Sequence, residues 1–124
     1  MVARSRIDGR AELGRRGEAL AASYLEARGF RVLARNVRQG RLELDIIAQR
    51  GTLVVFCEVR ARTSDRFIGP AHSIDHEKIR KLRQAAASWL RESKLGRVQV
   101  RFDAACLVFD TPEGRLTYYE AAFQ

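Results

Sequence analysis

Residues 42–62 read LELDIIAQRGTLVVFCEVRAR, and the fold can be inferred outward from this segment. It contains two runs rich in aliphatic and β-branched residues, 42–48 and 52–62, joined by the short link Gln49-Arg50-Gly51. Two such runs separated by a glycine-containing link predict a β-hairpin. Because successive strand side chains point to opposite faces, the alternation within each run also predicts which side chains share a face.

One face of this hairpin is predicted to be wholly apolar, and the other to be ionic at its open end. The apolar face consists of Leu42, Leu44, Ile46, Ala48, Leu53, Val55, Cys57, Val59 and Ala61. The second face carries Glu43, Asp45, Glu58, Arg60 and Arg62. With a two-residue turn at Arg50-Gly51, Asp45 and Glu58 become diagonal neighbours, roughly 7–8 Å apart at the backbone. A loop two residues longer places them directly opposite each other, whereas a slip by one residue separates them.

The rest of the chain supplies elements to cover the apolar face. Helical periodicity predicts helices at about 10–28 and 75–93. Further strands are predicted at 30–36, with Phe30, Val32 and Ala34 facing inward, at 98–109 and at 115–120, with turns at 37–41 and 111–114. The aperiodic segment 63–74 is interpreted as a mobile or functional loop. The order α-β-β-β-α-β-β predicts a single α/β domain, with a mixed central sheet flanked by helices, over 10–124 and a flexible basic N-terminus at 1–9.

Composition limits the classes of function. The 124 residues form one domain by length, and the formal net charge is +8. Residues 1–41 hold ten Arg and four acidic residues. This surplus favours a polyanion partner such as nucleic acid, although a genome that prefers Arg over Lys would give the same count. The chain shows no apolar run long enough for a membrane helix, no signal-peptide pattern and two isolated cysteines. We therefore expect a cytoplasmic protein with buried free thiols and no membrane partner.

The acidic pair within this basic chain requires compensation, because like charges facing each other on a sheet are destabilising. A divalent ion such as Mg²⁺ or Mn²⁺, held by Asp45 and Glu58, would provide it, since Mg²⁺ commonly takes one or two carboxylates plus water and phosphate oxygens. The alternative is a surface salt-bridge cluster without metal, in which Arg60 and Arg62 neutralise the acids. Spacing alone leaves both interpretations open.

A resemblance to known families bears on that choice. Asp45 followed by Glu58-Val59-Arg60 on the next strand resembles the PD-(D/E)xK signature of restriction-endonuclease-like proteins. The whole chain resembles the YraN family of small, endonuclease-like bacterial proteins. The resemblance rests on Gly14-Arg15-Arg16-Gly17-Glu18-Ala19, Arg35-Asn36, Glu43 to Ala48, Val55 to Arg62, Lys78 with Ala85 and Leu90, Arg101-Phe102-Asp103 and Ala122-Phe123.

The resemblance implies a restriction-endonuclease-like, Holliday-junction-resolvase-like fold and a set of site residues. Asp45 and Glu58 would be the metal ligands, and Glu18 matches the helix glutamate that completes the site in resolvase-like members. Arg60 stands where the motif has Lys, and Leu42 stands where the family usually has Gly. Arg keeps a positive charge near phosphate but cannot act as a base, so the departure at Arg60 weakens the case for cleavage.

The nucleic-acid contacts expected from the sequence are basic side chains on or beside these elements: Arg15, Arg16, Arg62, Lys78 and Lys81. Their alternative is a solvated helix face, and for Glu18 it is a pair with Arg15 or Arg16. Besides a structural role in a larger assembly, in which the basic surface meets RNA or an acidic protein, two functions stay open. One is a divalent-metal-dependent endonuclease acting on DNA, with branched DNA as a candidate substrate. The other is a catalytically degenerate module that binds nucleic acid or a processing partner without cleavage, and a homodimer is compatible with both.

Overall fold

The computed structural model describes residues 9–63 and 76–123. The elements, in chain order, are α1 Gly9–Ala27, β1 Arg31–Gln39, β2 Leu42–Arg50, β3 Leu53–Arg62, α2 His76–Ser93, β4 Gln99–Val108 and β5 Arg115–Tyr119. The strands form one five-stranded sheet in the order β1-β2-β3-β4-β5. Only β3 and β4 are parallel, which leaves α2 on the crossover between them. The predicted α/β class, element order and mixed sheet are confirmed.

Two predicted segments fall mostly outside the described residues. Of the N-terminal segment 1–9, only Gly9 is described, as the first residue of α1. Of the loop 63–74, only Thr63 is described. Among the residues that the structure describes, neither helix has an apolar stretch long enough to cross a bilayer.

The sheet has an apolar core on each face. The α1 side joins Ala21 and Leu25 to sheet residues such as Ile46, Val55 and Leu107. Gly17 allows α1 to lie close to β3, because a Cβ at this position would stand 3.1 Å from the Cβ of Ala61. This close approach holds Glu18, the next residue of the helix, near the carboxyl end of β3.

The core on the other face lies beneath α2. It joins Leu82 and Ala86 of the helix to Ile47, Phe56 and Phe102 of the sheet. Phe56 stacks on Phe102, with ring centroids 5.6 Å apart. Both faces of the central strands are therefore buried, as expected when a parallel pair is covered by helices on both sides.

The first strand departs from its prediction in length and in alternation. It continues to Gln39, through most of the segment 37–41 that was predicted as a turn. The register between β1 and β2 shifts between Val32 and Ala34. Phe30 and Val32 pack on the α1 side, whereas Ala34 packs on the α2 side. The predicted inward face of Phe30, Val32 and Ala34 is wrong at Ala34, because a bulge changes which side chains share a face.

The C-terminal residues are attached to the sheet through Asp103, whose side chain is fully buried. Its Oδ1 accepts hydrogen bonds from Arg101 Nε and the amide of Ala121, each at 2.9 Å. Its Oδ2 accepts from Arg101 Nη2 at 2.9 Å and from the Tyr118 hydroxyl at 2.6 Å. Four donors therefore satisfy this carboxylate, as a buried charge requires.

The two cysteines are both free thiols. Cys57 is buried as predicted, whereas Cys106 is only half-buried. Burial raises the pKa of Cys57 above its ordinary range, so this thiol stays protonated and is a poor nucleophile.

Candidate functional site

The site forms where β2 separates from β3. The ladder between these strands pairs Arg50 with Leu53 and continues to the pair of Ile46 and Cys57. One residue beyond this pair, the side chain of Asp45 takes the place of a backbone acceptor. Its Oδ2 accepts the amide of Val59 at 2.8 Å. The carboxylate is thus fixed at the fork between the strands.

The hairpin turn lies at Gly51-Thr52, because Arg50 and Leu53 are paired. The predicted position, Arg50-Gly51, is wrong by one residue. Moving a two-residue turn by one residue shifts the pairing by two, and an even shift keeps the same side chains on the same face. The observed ladder ends at the pair of Ile46 and Cys57. Asp45 and Glu58 lie just beyond it on the two strands, and the charge of Glu58 acts on Asp45.

The predicted alternation along β2 fails at the same point. Ile46 packs on the α1 side, but Leu44 packs with Ile47 on the α2 side. On the adjacent strand, Asn36 adopts a left-handed backbone conformation with φ 53° between the pairs Arg35–Ile46 and Val37–Leu44. The strand is thus irregular at Asp45, and the predicted apolar face is correct for Ile46 but wrong for Leu42 and Leu44.

Asp45 is held in a strongly unfavourable environment for a negative charge. Burial, which is the largest cause, and the neighbouring charge of Glu58 raise the pKa of Asp45 to about 7. Glu18 and Glu43 add to the increase, and the hydrogen bond from Val59 opposes it. A carboxyl group in this state is stabilised by a proton or by a cation.

Glu58 lies between α2 and the point where β2 and β3 separate. We refer to this point, with Asp45 and Glu58, as the acidic fork. Its Oε2 is 3.9 Å from Arg60 Nε and 3.9 Å from Lys78 Nζ. Burial raises the pKa of Glu58 despite these two cations. The predicted ion-pair cluster thus exists in part, but at distances that mark the outer limit of an ion pair, and it does not relieve Asp45.

Glu18 reaches the same region from α1. Its Oε1 accepts a hydrogen bond from Asn36 Nδ2 at 3.2 Å. The alternative pairing with Arg15 or Arg16 is wrong, since Arg15 pairs with Glu12 at 3.0 Å. Arg16 lies over the ring of Phe109, 4.4 Å from its centroid, and donates to the carbonyl of Pro112.

Asp45 and Glu18 open onto one cleft of about 650 Å³ between α1 and the end of β3. Arg10 and Arg62 also line this cleft. The acidic side chains at its inner wall would contact a cation. The guanidinium groups at its rim would contact a phosphate group. The structure therefore brings Arg62 to the site, whereas Arg15 and Arg16 make their contacts elsewhere.

Asp45 and Glu58 are the two carboxylates that a metal ion could contact at this fork, and the ion would need further ligands from water or phosphate. Within residues 9–63 and 76–123, no group of three or more His, Cys, Asp and Glu side chains could hold a metal ion on its own. Asp45 and Glu58 both line the gap where β2 leaves β3. The pKa values of both carboxyl groups are raised, and a bound cation would favour their ionised forms. Mg²⁺ or Mn²⁺ would complete its coordination with water and phosphate oxygens.

Three features of the site were not predicted from the sequence. The amide of Val59 and the side chain of Asn36 position the two acids, and Arg41 joins the basic residues near α2. Asn is enriched at positions with positive φ, so the Arg35-Asn36 pair within a β-branched run contains a signal for the irregularity. Nothing local indicates the Val59 contact, because it depends on where two strands part.

Comparison with known proteins places this site within one family. The model of the uncharacterised protein family UPF0102 matches residues 17–107. A UPF0102 protein of Anaeromyxobacter dehalogenans is 42% identical over 116 residues, which cover 94% of this chain and 87% of the relative. A UPF0102 protein of Mycolicibacterium vanbaalenii is 48% identical over 96 residues, covering 77% and 79% of the two chains. The matched range extends from α1 to β4 and contains Glu18, Asp45 and Glu58.

Proposed function

This chain belongs to the uncharacterised protein family UPF0102, and from its structure we propose that it is a divalent-metal-dependent nuclease that hydrolyses phosphodiester bonds in DNA. The observation that supports this most is the placement of Asp45 at the fork of β2 and β3, hydrogen-bonded to Val59 at 2.8 Å and repelled by Glu58. The choice of DNA, including branched DNA, rests on the resemblance to resolvase-like proteins.

Each residue of the site has a distinct task in this proposal. Asp45 and Glu58 hold the cation, and the Val59 amide fixes the orientation of Asp45. When bound, Mg²⁺ or Mn²⁺ supplies positive charge against phosphate oxygens and lowers the pKa of water. Arg62, at the rim of the cleft that contains Asp45, binds the substrate phosphate. Arg60 and Lys78, beside Glu58, stabilise the negative charge that develops on phosphate during hydrolysis.

Arg60 supports a second candidate function, that of a module that binds nucleic acid without cleaving it. Its guanidinium remains protonated and cannot accept a proton from water. A chain that retained the acidic fork and lost the motif lysine would bind metal and phosphate with little hydrolysis. The nuclease proposal predicts cleavage by the wild-type protein as well as by Arg60→Lys, whereas the binding module predicts no cleavage by the wild-type protein.

We expect Mn²⁺-dependent cleavage by the wild-type protein and no cleavage above background by Asp45→Asn. Linear, flapped and four-way-junction DNA should be incubated with wild type, Asp45→Asn and Arg60→Lys, and the products followed on denaturing gels. The lysine variant should cleave on the order of 10²-fold faster, the lower end of what a positioned proton acceptor contributes.

Glu26→Gln provides a control, because Glu26 is exposed on the far half of α1. No cleavage of any substrate by wild type or Arg60→Lys would overturn the nuclease proposal and leave the binding module. Cleavage by Asp45→Asn at the wild-type rate would show that the activity does not come from this site.

A further inference from the structure

A second concave surface lies on the opposite side of the sheet from the cleft of Asp45 and Glu18. It is a groove of about 530 Å³ between α2 and the turn that connects β1 to β2. Lys78, Lys81 and Ser88 form the helix wall, and Gln39 and Arg41 form the turn wall. Leu42 and Ala85 also line it. We refer to this surface as the α2 groove.

The charge of the α2 groove is of one sign. Arg41, Lys78 and Lys81 line it, and no Asp or Glu does so in the part of the chain that the structure describes. The nearest compensation for Lys81 is Glu77 at 3.8 Å, and Glu77 lies closer to Arg80, at 2.6 Å. Three cations around an apolar floor favour a ligand that carries several negative charges in a row.

The groove leads to the acidic fork. Lys78 lines one end of it and lies 3.9 Å from Glu58. At the other side, Gln39 of the turn is joined to Glu92 of the helix at 3.4 Å. The helix wall from Lys78 to Ser88 is about 15 Å long, at 1.5 Å per residue.

We infer that the α2 groove binds the phosphodiester backbone of an unpaired nucleic-acid strand whose path passes Lys78 and Glu58. The groove has two walls, α2 and the turn between β1 and β2, and a volume of about 530 Å³, which favours one strand over a duplex. No Phe, Tyr or Trp lines it within residues 9–63 and 76–123, so the contacts are to phosphates and are independent of base sequence. This inference rests on the proposed function, because it places the strand beside the same Glu58.

The test measures binding without metal, so it is independent of hydrolysis. A fluorescent single-stranded oligonucleotide is titrated with protein in EDTA at several salt concentrations, using wild type and the double variant Arg41→Gln/Lys81→Gln. We expect the variant to lose about ten-fold or more in affinity, since one charge-assisted contact is typically worth that factor. The slope of log affinity against log salt should fall in magnitude by about 1.4, or 0.7 for each lost contact with a single strand.

The matched control is Arg80→Gln/Arg91→Gln, which removes the same charge from exposed positions of the same helix that do not line the groove. Wild-type affinity and slope in the control support the inference. An equal loss of affinity in both double variants would show that net charge alone causes the effect, and it would overturn the inference. The inference would also be overturned if the Arg41→Gln/Lys81→Gln variant lost more affinity for duplex than for single strand. Displacement of the strand by poly-glutamate at equal charge, or no strand binding by wild type, would overturn it as well. Intact strand binding together with absent Mn²⁺-dependent cleavage would remove the proposed nuclease function and leave the groove.

Discussion

Asp103→Asn is expected to lower the free energy of unfolding by on the order of 3–5 kcal/mol, the cost of breaking a buried ion pair by removing one partner. Asp103 is fully buried and receives four hydrogen bonds, two of them from Arg101. An amide at this position places an NH₂ group against at least two donors. It also leaves the Arg101 guanidinium without its buried counter-charge.

Urea denaturation at pH 7 measures this effect. Asp110→Asn is the matched control, because Asp110 forms a comparable pair with Arg115 at 2.7 Å but lies at the surface. Solvent screens such a pair, so this variant should unfold close to wild type. Equal destabilisation of the two variants would show that the Asp103 contacts do not hold the C-terminal residues to the sheet.

Asp45→Asn is expected to have the opposite effect and to stabilise the metal-free protein at neutral and alkaline pH. The pKa of Asp45 is about 7 in the folded state, compared with 3.8 for the ordinary group. Each pKa unit corresponds to about 1.4 kcal/mol, so ionised Asp45 costs the fold on the order of 4 kcal/mol above pH 8. Asn removes this cost, and its carbonyl oxygen still accepts the amide of Val59.

The pH dependence follows from the direction of the shift. Because the folded-state pKa is raised, the folded state binds more protons than the unfolded state between pH 4 and pH 7. The contribution of Asp45 to stability is therefore complete below about pH 4 and is lost as the pH rises through 7. The difference in unfolding free energy between Asp45→Asn and wild type should grow over this range.

Urea titrations of both proteins in EDTA, from pH 4.5 to pH 8.5, measure that difference. Subtracting the two curves cancels groups that titrate in both proteins. A variant that is less stable than wild type at pH 8, or a difference that does not change with pH, would contradict the electrostatic description of the fork.

Asp45 and Asp103 show what the sequence alone can and cannot predict about a buried acid. Both stand in apolar strand sequences, LDII and FDAA, and nothing in these local patterns distinguishes them. Asp103 finds its partners on its own strand, on β5 and just beyond β5. Asp45 meets other carboxylates instead. Whether a buried acid is satisfied or strained depends on which side chains the fold brings against it, and periodicity does not report these.

Alternation predicted the hairpin and the burial of β3 correctly, because nearly every residue of that strand obeys the period of two. It failed where one backbone conformation changed the period. Asn36 at φ 53° and the bulge after Val32 alter the path of β1. Leu44 and Ala34 consequently pack on the α2 side. The proximity of Asp45 to Glu58 could be predicted because an error of one residue in the turn leaves the faces unchanged.

Calorimetric titration with Mn²⁺ at pH 8 shows whether Asp45 and Glu58 together bind a divalent cation. Wild type and Glu26→Gln should bind one ion at millimolar concentration or below, and Asp45→Asn and Glu58→Gln should each give only the heat of dilution. Binding that is unchanged in Asp45→Asn, or no binding by the wild-type protein at millimolar Mn²⁺, would show that these two side chains do not form a cation site.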